Sequence, residues 1–354
     1  MTDVFAIQDE ISQAIAEKLR LQLSRGKTLV KGQTENIEAH NINLKGRFHL
    51  FKLTPEGLAK SKECFEQAIA MDPNYASPWH GLAAMYGTSA ILGIAPPKSV
   101  IEQSRRAILK ALELDNNLPE GHAHMGGMRV FEFDWKGAER EFLQALELSQ
   151  SSMDVWFLYS MYYLVPMRRL DEALTAMQKA QEVDPLSPNI HTNLGNICIV
   201  MRQYERAIEH CRNALELAPH HLIANIYICC AHILKGEFEE GIRIIEAAAK
   251  LTGQFPLLQG TLGWAYAMAG RTVEARRLLE ELQKAASKSY VPAISFAYIY
   301  NGLGEIDECF DWLYKAVDNR EPATFHMICS PTLDPLRSHP RYKALLRKMN
   351  LEPQ

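Results

Sequence analysis

The sequence predicts an all-α protein, a right-handed solenoid of about eight helix-turn-helix units, and three observations lead there. First, Leu194-Gly195 recurs as Leu262-Gly263, two steps along a lattice of about 34 residues whose other steps carry Ile228-Cys229 and Phe296-Ala297. Second, apolar residues recur at helical spacing, as Ile242, Ile245 and Ala249 do at i, i+3 and i+7. Third, Asp-Pro or Ala-Pro pairs at 72–73, 184–185 and 218–219 end one unit and start the next, because proline disfavours helix at the residue before it. Alternating β-branched runs are almost absent.

In chain order, LKGRFHLFKLTPEGLAKSKECFEQAIAMDP reads as an early unit with a short loop at Thr54-Pro55. The next unit, beginning PWHGLAAMYG, has a longer loop with Gly93, Pro96 and Pro97. MGGMRVFEFDWKGAEREFLQALELS follows, with Gly126, Ala138, Phe142 and Ala145 at matching offsets. The step from Ala138 to Ala173 exceeds the period by one, which places an extra residue near Gln150-Ser151-Ser152. The last four units keep strict register. Ala207, Gly241, Ala275 and Cys309 form a column of small residues where paired helices approach closely, and Cys211, Ile245, Leu279 and Leu313 form an apolar one. Gly270 and Gly304 mark the turn column. After Ala316 the period breaks, and Pro322, Pro331, Pro335 and Pro340 forbid one continuous helix. The stripe Tyr342, Leu345, Leu346 and Met349 then predicts a short helix that covers the apolar end of the last unit. The expected organisation is an amphipathic helix at 1–24, a linker at 25–36, the array at 37–318 and a capping segment at 319–354.

Composition narrows the function. Among 354 residues, 38 Lys+Arg stand against 42 Asp+Glu, a net charge of −4, where a nucleic-acid binder would show a basic stripe. No apolar run approaches the length needed to span a bilayer, and the start lacks the order of a signal peptide. Seven cysteines without a C-x-x-C fit free thiols in a reducing cytoplasm better than a disulfide framework. His122 and His124, at i and i+2, point to different faces and cannot share one metal, nor can the adjacent His220 and His221. No nucleophile elbow, zinc-protease motif or phosphate-binding glycine loop occurs, so no enzyme activity, cofactor or metal is expected.

These residues resemble the tetratricopeptide repeat over about four-fifths of the chain. The match runs through Leu194, Gly195, Tyr204, Ala207, Ala214 and Pro219, with Trp79, Leu82, Ala83 and Tyr86 matching the first helix of an earlier unit. The resemblance implies that the first helix of each unit lines an inner groove. The groove residues it points to are Asn189, Thr192 and Asn196, then Ile226 and Tyr227, then Trp264, Tyr298 and Asn301. Asn196 matches the asparagine of carboxylate-clamp repeats, yet Thr192 stands where a clamp requires lysine. The implied partner is a protein or peptide, with nucleic acid and membrane excluded and self-association left open. The opening DVFAIQDEISQAIAEKLRLQL and the closing LDPLRSHPRYKALLRKMNL look like bacterial multidomain proteins in which a tetratricopeptide array follows a TolB-like region. Their leading domain is an adenylate/guanylate cyclase, a winged-helix module or a kinase, and this sequence has none of the cyclase motifs. The alternative function is therefore a regulatory segment of such a signalling protein.

Overall fold

The computed structural model describes residues 34–252 and 255–351. The expected helix at 1–24, and the linker up to residue 33, lie outside the described residues.

Among the described residues, helices stack as eight antiparallel pairs. Units 1 to 4 are α1 (Ile37–Leu50) with α2 (Pro55–Met71), α3 (Ala76–Ile91) with α4 (Pro97–Leu114), α5 (Pro119–Phe131) with α6 (Trp135–Leu148), and α7 (Met153–Leu158) with α8 (Leu170–Val183). Units 5 to 8 are α9 (Pro188–Val200) with α10 (Tyr204–Leu217), α11 (Leu222–Leu234) with α12 (Phe238–Thr252), α13 (Pro256–Met268) with α14 (Thr272–Ala286), and α15 (Ala293–Leu303) with α16 (Ile306–Asp318). The starts are locally encoded. Proline occupies the first turn of α2, α4, α5, α9 and α13, where no backbone N–H partner is lost. Thr54 and Asp134 accept bonds from the Gly57 and Gly137 amides at 3.1 and 2.9 Å, capping α2 and α6. Neighbouring units lock through large residues set against small ones. Phe65, fully buried, fills the space that Gly46 of α1 and Gly81 of α3 leave on either side of it.

The extra residue sits elsewhere than the lengthened step suggests. Leu118 to Asp134 and Ser187 to Gln203, the pairs that flank the first helices of units 3 and 5, have identical spacing. In unit 4 the corresponding pair, Ser152 and Arg169, is one position further apart. The inserted residue is absorbed within the first helix, which continues beyond α7 as a π-helical turn over Tyr159–Leu164 and puts Val165 N–H on the Ser160 carbonyl at 3.0 Å. An i→i+5 bond is what a one-residue insertion makes when both flanking helices stay in place.

After unit 8 the chain turns back into the superhelix as α17 (Pro322–Cys329), a 3₁₀ turn (Pro331–Leu336) and α18 (Pro340–Lys348). Phe325 of α17 sits edge-on to Phe131, Phe133 and Trp135, with ring centroids 5.7, 6.0 and 6.1 Å away. α18 lies on α16, where Arg341 pairs with Asp307 and Asp311, Lys348 with Asp318, and Tyr314 donates to the Arg341 carbonyl. Leu345 is fully buried and Leu346 half-buried. Past α18, the Trp135 indole donates to the Met349 carbonyl at 2.7 Å and the Asn350 amide to the Phe133 carbonyl at 3.1 Å. The segment after unit 8 therefore does more than cover it: it ties unit 8 to unit 3, and Pro292 comes against Gly93 of unit 2. The solenoid closes on itself.

Candidate functional site

The first helices of the units face inward, and the returning segment divides the space they enclose. Its hold on the array is concentrated in the turns between paired helices. Each of the eight turns contains one residue with positive φ: Leu53, Gly93, Phe133, Arg168, Arg202, Gly236, Gly270 and Gly304. In units 1 and 3 to 5 this residue is not glycine: Leu53 packs on the core of the array, and the other three side chains each meet the returning segment. Phe133 packs on Phe325, Arg168 donates to the Cys329 carbonyl at 3.2 Å, and Arg202 pairs with Asp334 at 2.6 Å. From its own positive-φ turn, Arg320 lies over the Phe133 ring, 3.8 Å from its centroid.

The part of the interior left open is a chamber of about 250 Å³. Five of the eight residues picked from the sequence line it: Asn189, Thr192, Ile226, Tyr227 and Tyr298. His221 joins Asn189 and Thr192, with its Nε2 2.8 Å from Asn189 Oδ1 and its Nδ1 3.4 Å from Thr192 Oγ1. Burial lowers the His221 pKa to about 4, so this cluster carries no cation and is no carboxylate clamp.

The other three do not face the chamber. Trp264 is 1% exposed, because α13 and α15 approach so closely that the position is covered: a Cβ on Gly302 would stand 3.0 Å from the indole. It packs edge-on to Tyr298 and serves as core, not as a contact surface. Asn196 is buried against His326 of the returning segment, 3.4 Å away, and Asn301 donates to the Thr332 carbonyl at 2.9 Å. Both asparagines hold the chain's own segment.

Sequence reasoning missed the chamber's far end. There His80 Nε2 meets His124 Nδ1 at 3.0 Å, and Arg47 pairs with Asp154 at 3.7 Å. Burial depresses both imidazole pKa values and raises that of the Asp154 carboxyl. Neither pair falls on a common column of the repeat, and Arg47 and Asp154 belong to units 1 and 4, so periodicity could not reveal them. His122 points away, to Glu141 at 2.8 Å, as the i, i+2 geometry requires. Of the cysteines only Cys64 is not buried, and burial pushes the Cys230 and Cys309 thiols up to about 12, far from a nucleophile's range. Among the described residues, no three His, Cys, Asp or Glu side chains converge on a metal position, and no helix is long and apolar enough to cross a membrane.

Comparisons with known proteins agree with this architecture. Residues 188–221, unit 5 with its flanking turns, match the profile of the tetratricopeptide repeat. Over 153 residues the chain is 27% identical to the transcriptional regulator HilA of Salmonella typhimurium, covering 43% of this chain and 28% of that protein. The chain thus spans little more than a quarter of the curated relatives it matches. Among solved structures, the human IFIT1 dimer with PPP-AAAA superposes with a TM-score of 0.53 at 16% identity, over 74% of this chain and 68% of that one. Pseudomonas aeruginosa pilF gives 0.43 at 20% identity, over 60% and 94%. Residues 188–221 thus form a tetratricopeptide repeat within an array of eight stacked helix pairs.

Proposed function

We propose that the chain is a non-catalytic interaction scaffold that holds a peptide segment of a protein partner on the inner face of its superhelix. One observation carries this reading: that face already holds a peptide, the chain's own residues 322–336. Backbone carbonyls of the segment accept bonds from Arg168 and Asn301, its acid meets Arg202, and its aromatic ring fills an aromatic slot. A partner's segment would use the same donors-and-slot chemistry along the half-buried rim at Asn189, Tyr227 and Tyr298.

A photo-crosslinking residue at Asn193, on the rim, and another at Leu217, which is exposed on a second helix, test this in cells. Capture of a discrete protein from position 193 and not from 217 is expected. Capture only at 217 would remove the inner face as the binding surface, and capture at neither would remove the scaffold. A second reading is favoured by the match to part of a longer transcriptional regulator: the chain would be the regulatory segment of a multidomain protein whose output domain lies outside it. The extent of the genomic reading frame around Met1 decides that.

A further inference from the structure

We infer that the chamber enclosed by the first helices and the returning segment is a binding site for a small, uncharged, mostly apolar molecule that presents oxygen acceptors. This goes beyond the scaffold reading and shares Tyr227 and Tyr298 with it, so the variants at Gly87 and Gly127, which that reading does not use, tell the two apart.

The sequence leaves the chamber's volume empty. Gly87 of α3 and Gly127 of α5 both line it, and a Cβ built on either meets nothing within 4 Å. The other inward glycines have packing reasons: a Cβ on Gly46, Gly81 or Gly126 would press on Phe65 or Phe142 at 3.0 Å or closer. Glycine inside a helix costs stability relative to alanine. At 87 and 127 that cost returns no close packing and no turn; what it leaves is space. About 250 Å³ approaches the size of small-molecule sites and is less than a single turn of a helix about 10 Å across would fill.

The polar groups around this space wait for acceptors. Tyr162, Tyr227 and Tyr298 line the chamber, and their hydroxyls, which keep access to its open space, make no hydrogen bond among the described residues. Each phenol is held protonated by its surroundings, so each offers a donor. The charges are spoken for. Arg47 has Asp154, and His80, His124, His221 and His326 are all kept neutral by burial. An anionic ligand would meet Asp154 and a cationic one Arg47, each without a free counter-ion. Met128, Phe131, Phe157 and Met161 supply the adaptable apolar wall.

Nile red, an uncharged dye with a ring carbonyl, is titrated into the purified full chain. Saturable one-to-one binding with a blue-shifted emission is expected. Gly87→Leu and Gly127→Leu fill the space and should each weaken binding at least about tenfold with unchanged helical circular dichroism. Tyr227→Phe and Tyr298→Phe remove one donor each without changing shape, and about three- to tenfold weaker binding is expected. Methyl laurate should displace the dye at about a tenth of the concentration that laurate needs, since only the acid brings a charge. Equal dye binding by the wild type and both glycine variants would overturn the site. If either glycine variant loses helicity, the tyrosine pair decides alone, and no change there overturns the donor role. Tighter competition by laurate than by its ester would overturn the uncharged class.

Discussion

Units 3 to 5 and units 6 to 8 share one repeat geometry and solve its sharpest turn differently. Gly236, Gly270 and Gly304 take the positive φ without strain and touch nothing that a side chain would meet. Phe133, Arg168 and Arg202 accept the same backbone conformation, for which their side chains are poorly suited, and all three grip the segment that returns from the far end. Where the turn faces only solvent, the backbone's preference decides the residue. Where the turn must hold another part of the chain, contact decides, and local strain is tolerated.

The largest effect should come from the ring at the centre of the clasp. Phe325 is 2% exposed among three aromatic rings, so Phe325→Ala is expected to cost about 3–5 kcal/mol in denaturant unfolding. Hydrogen exchange should accelerate in α5, α6 and α8 more than in α11 to α14. Uniform acceleration would mean that the two halves are not distinguished by the clasp.

Acid should loosen the same region. Desolvation of the half-buried His326 lowers its pKa to about 4, against about 6.5 in an unfolded chain. Between these values the unfolded state binds a proton that the folded state refuses. His326 therefore makes stability fall as pH drops from about 6.5 towards 4, by an amount on the order of 2–3 kcal/mol. His122, raised chiefly by its bond to Glu141, acts in the opposite sense. His80, His124 and His221, lowered by burial too, act in the same sense as His326, so His326→Gln should remove only its share of the acid limb of a stability–pH curve, and an unchanged slope would assign the limb to those three.

The smallest effects sharpen the turn comparison itself. Gly270→Ala forces a Cβ into a positive φ and should cost about 1 kcal/mol. Arg202→Gly relieves similar strain but loses an ion pair with a largely exposed arginine, so a change within about 1 kcal/mol is expected. If Arg202→Gly were strongly destabilising, the clasp would be worth more than an exposed pair supplies.

The array was legible in the sequence because its contacts recur with the repeat: Gly46 against Phe65 and Gly126 against Phe142 are each a first-helix glycine meeting the aromatic ring of its own unit's second helix. The interior was not. Trp264 occupies an inward column, yet the approach of α15 to α13 buries it, and that approach depends on Gly302 and on Ser295 against Gly260 rather than on the column. Asn196 and Asn301 look free until a segment outside the lattice arrives; Asn196 and His326 are 130 positions apart, and no period records such a pair. The turn column did hold a signal. A place where glycine is the easy choice is filled by Leu53, Phe133, Arg168 and Arg202, and three of these four side chains hold the returning segment. The π turn shows the same limit: spacing counted the extra residue in unit 4 correctly but could not tell a longer loop from a wider helical turn.

The bond between Trp135 and the Met349 carbonyl also puts a clock on the protein's birth. A simple stack could finish each layer as it leaves the ribosome, needing only its predecessor. Here the indole of unit 3 is made 214 positions before its acceptor. At about 5–20 residues per second, it waits on the order of 10–40 s for that carbonyl to be synthesised. Through that interval Phe131, Phe133 and Trp135 stand without Phe325, and the nascent chain presents an open aromatic slot to whatever passes. Synthesis rate, chaperone supply and early partner encounter thus become part of how this array reaches its closed form.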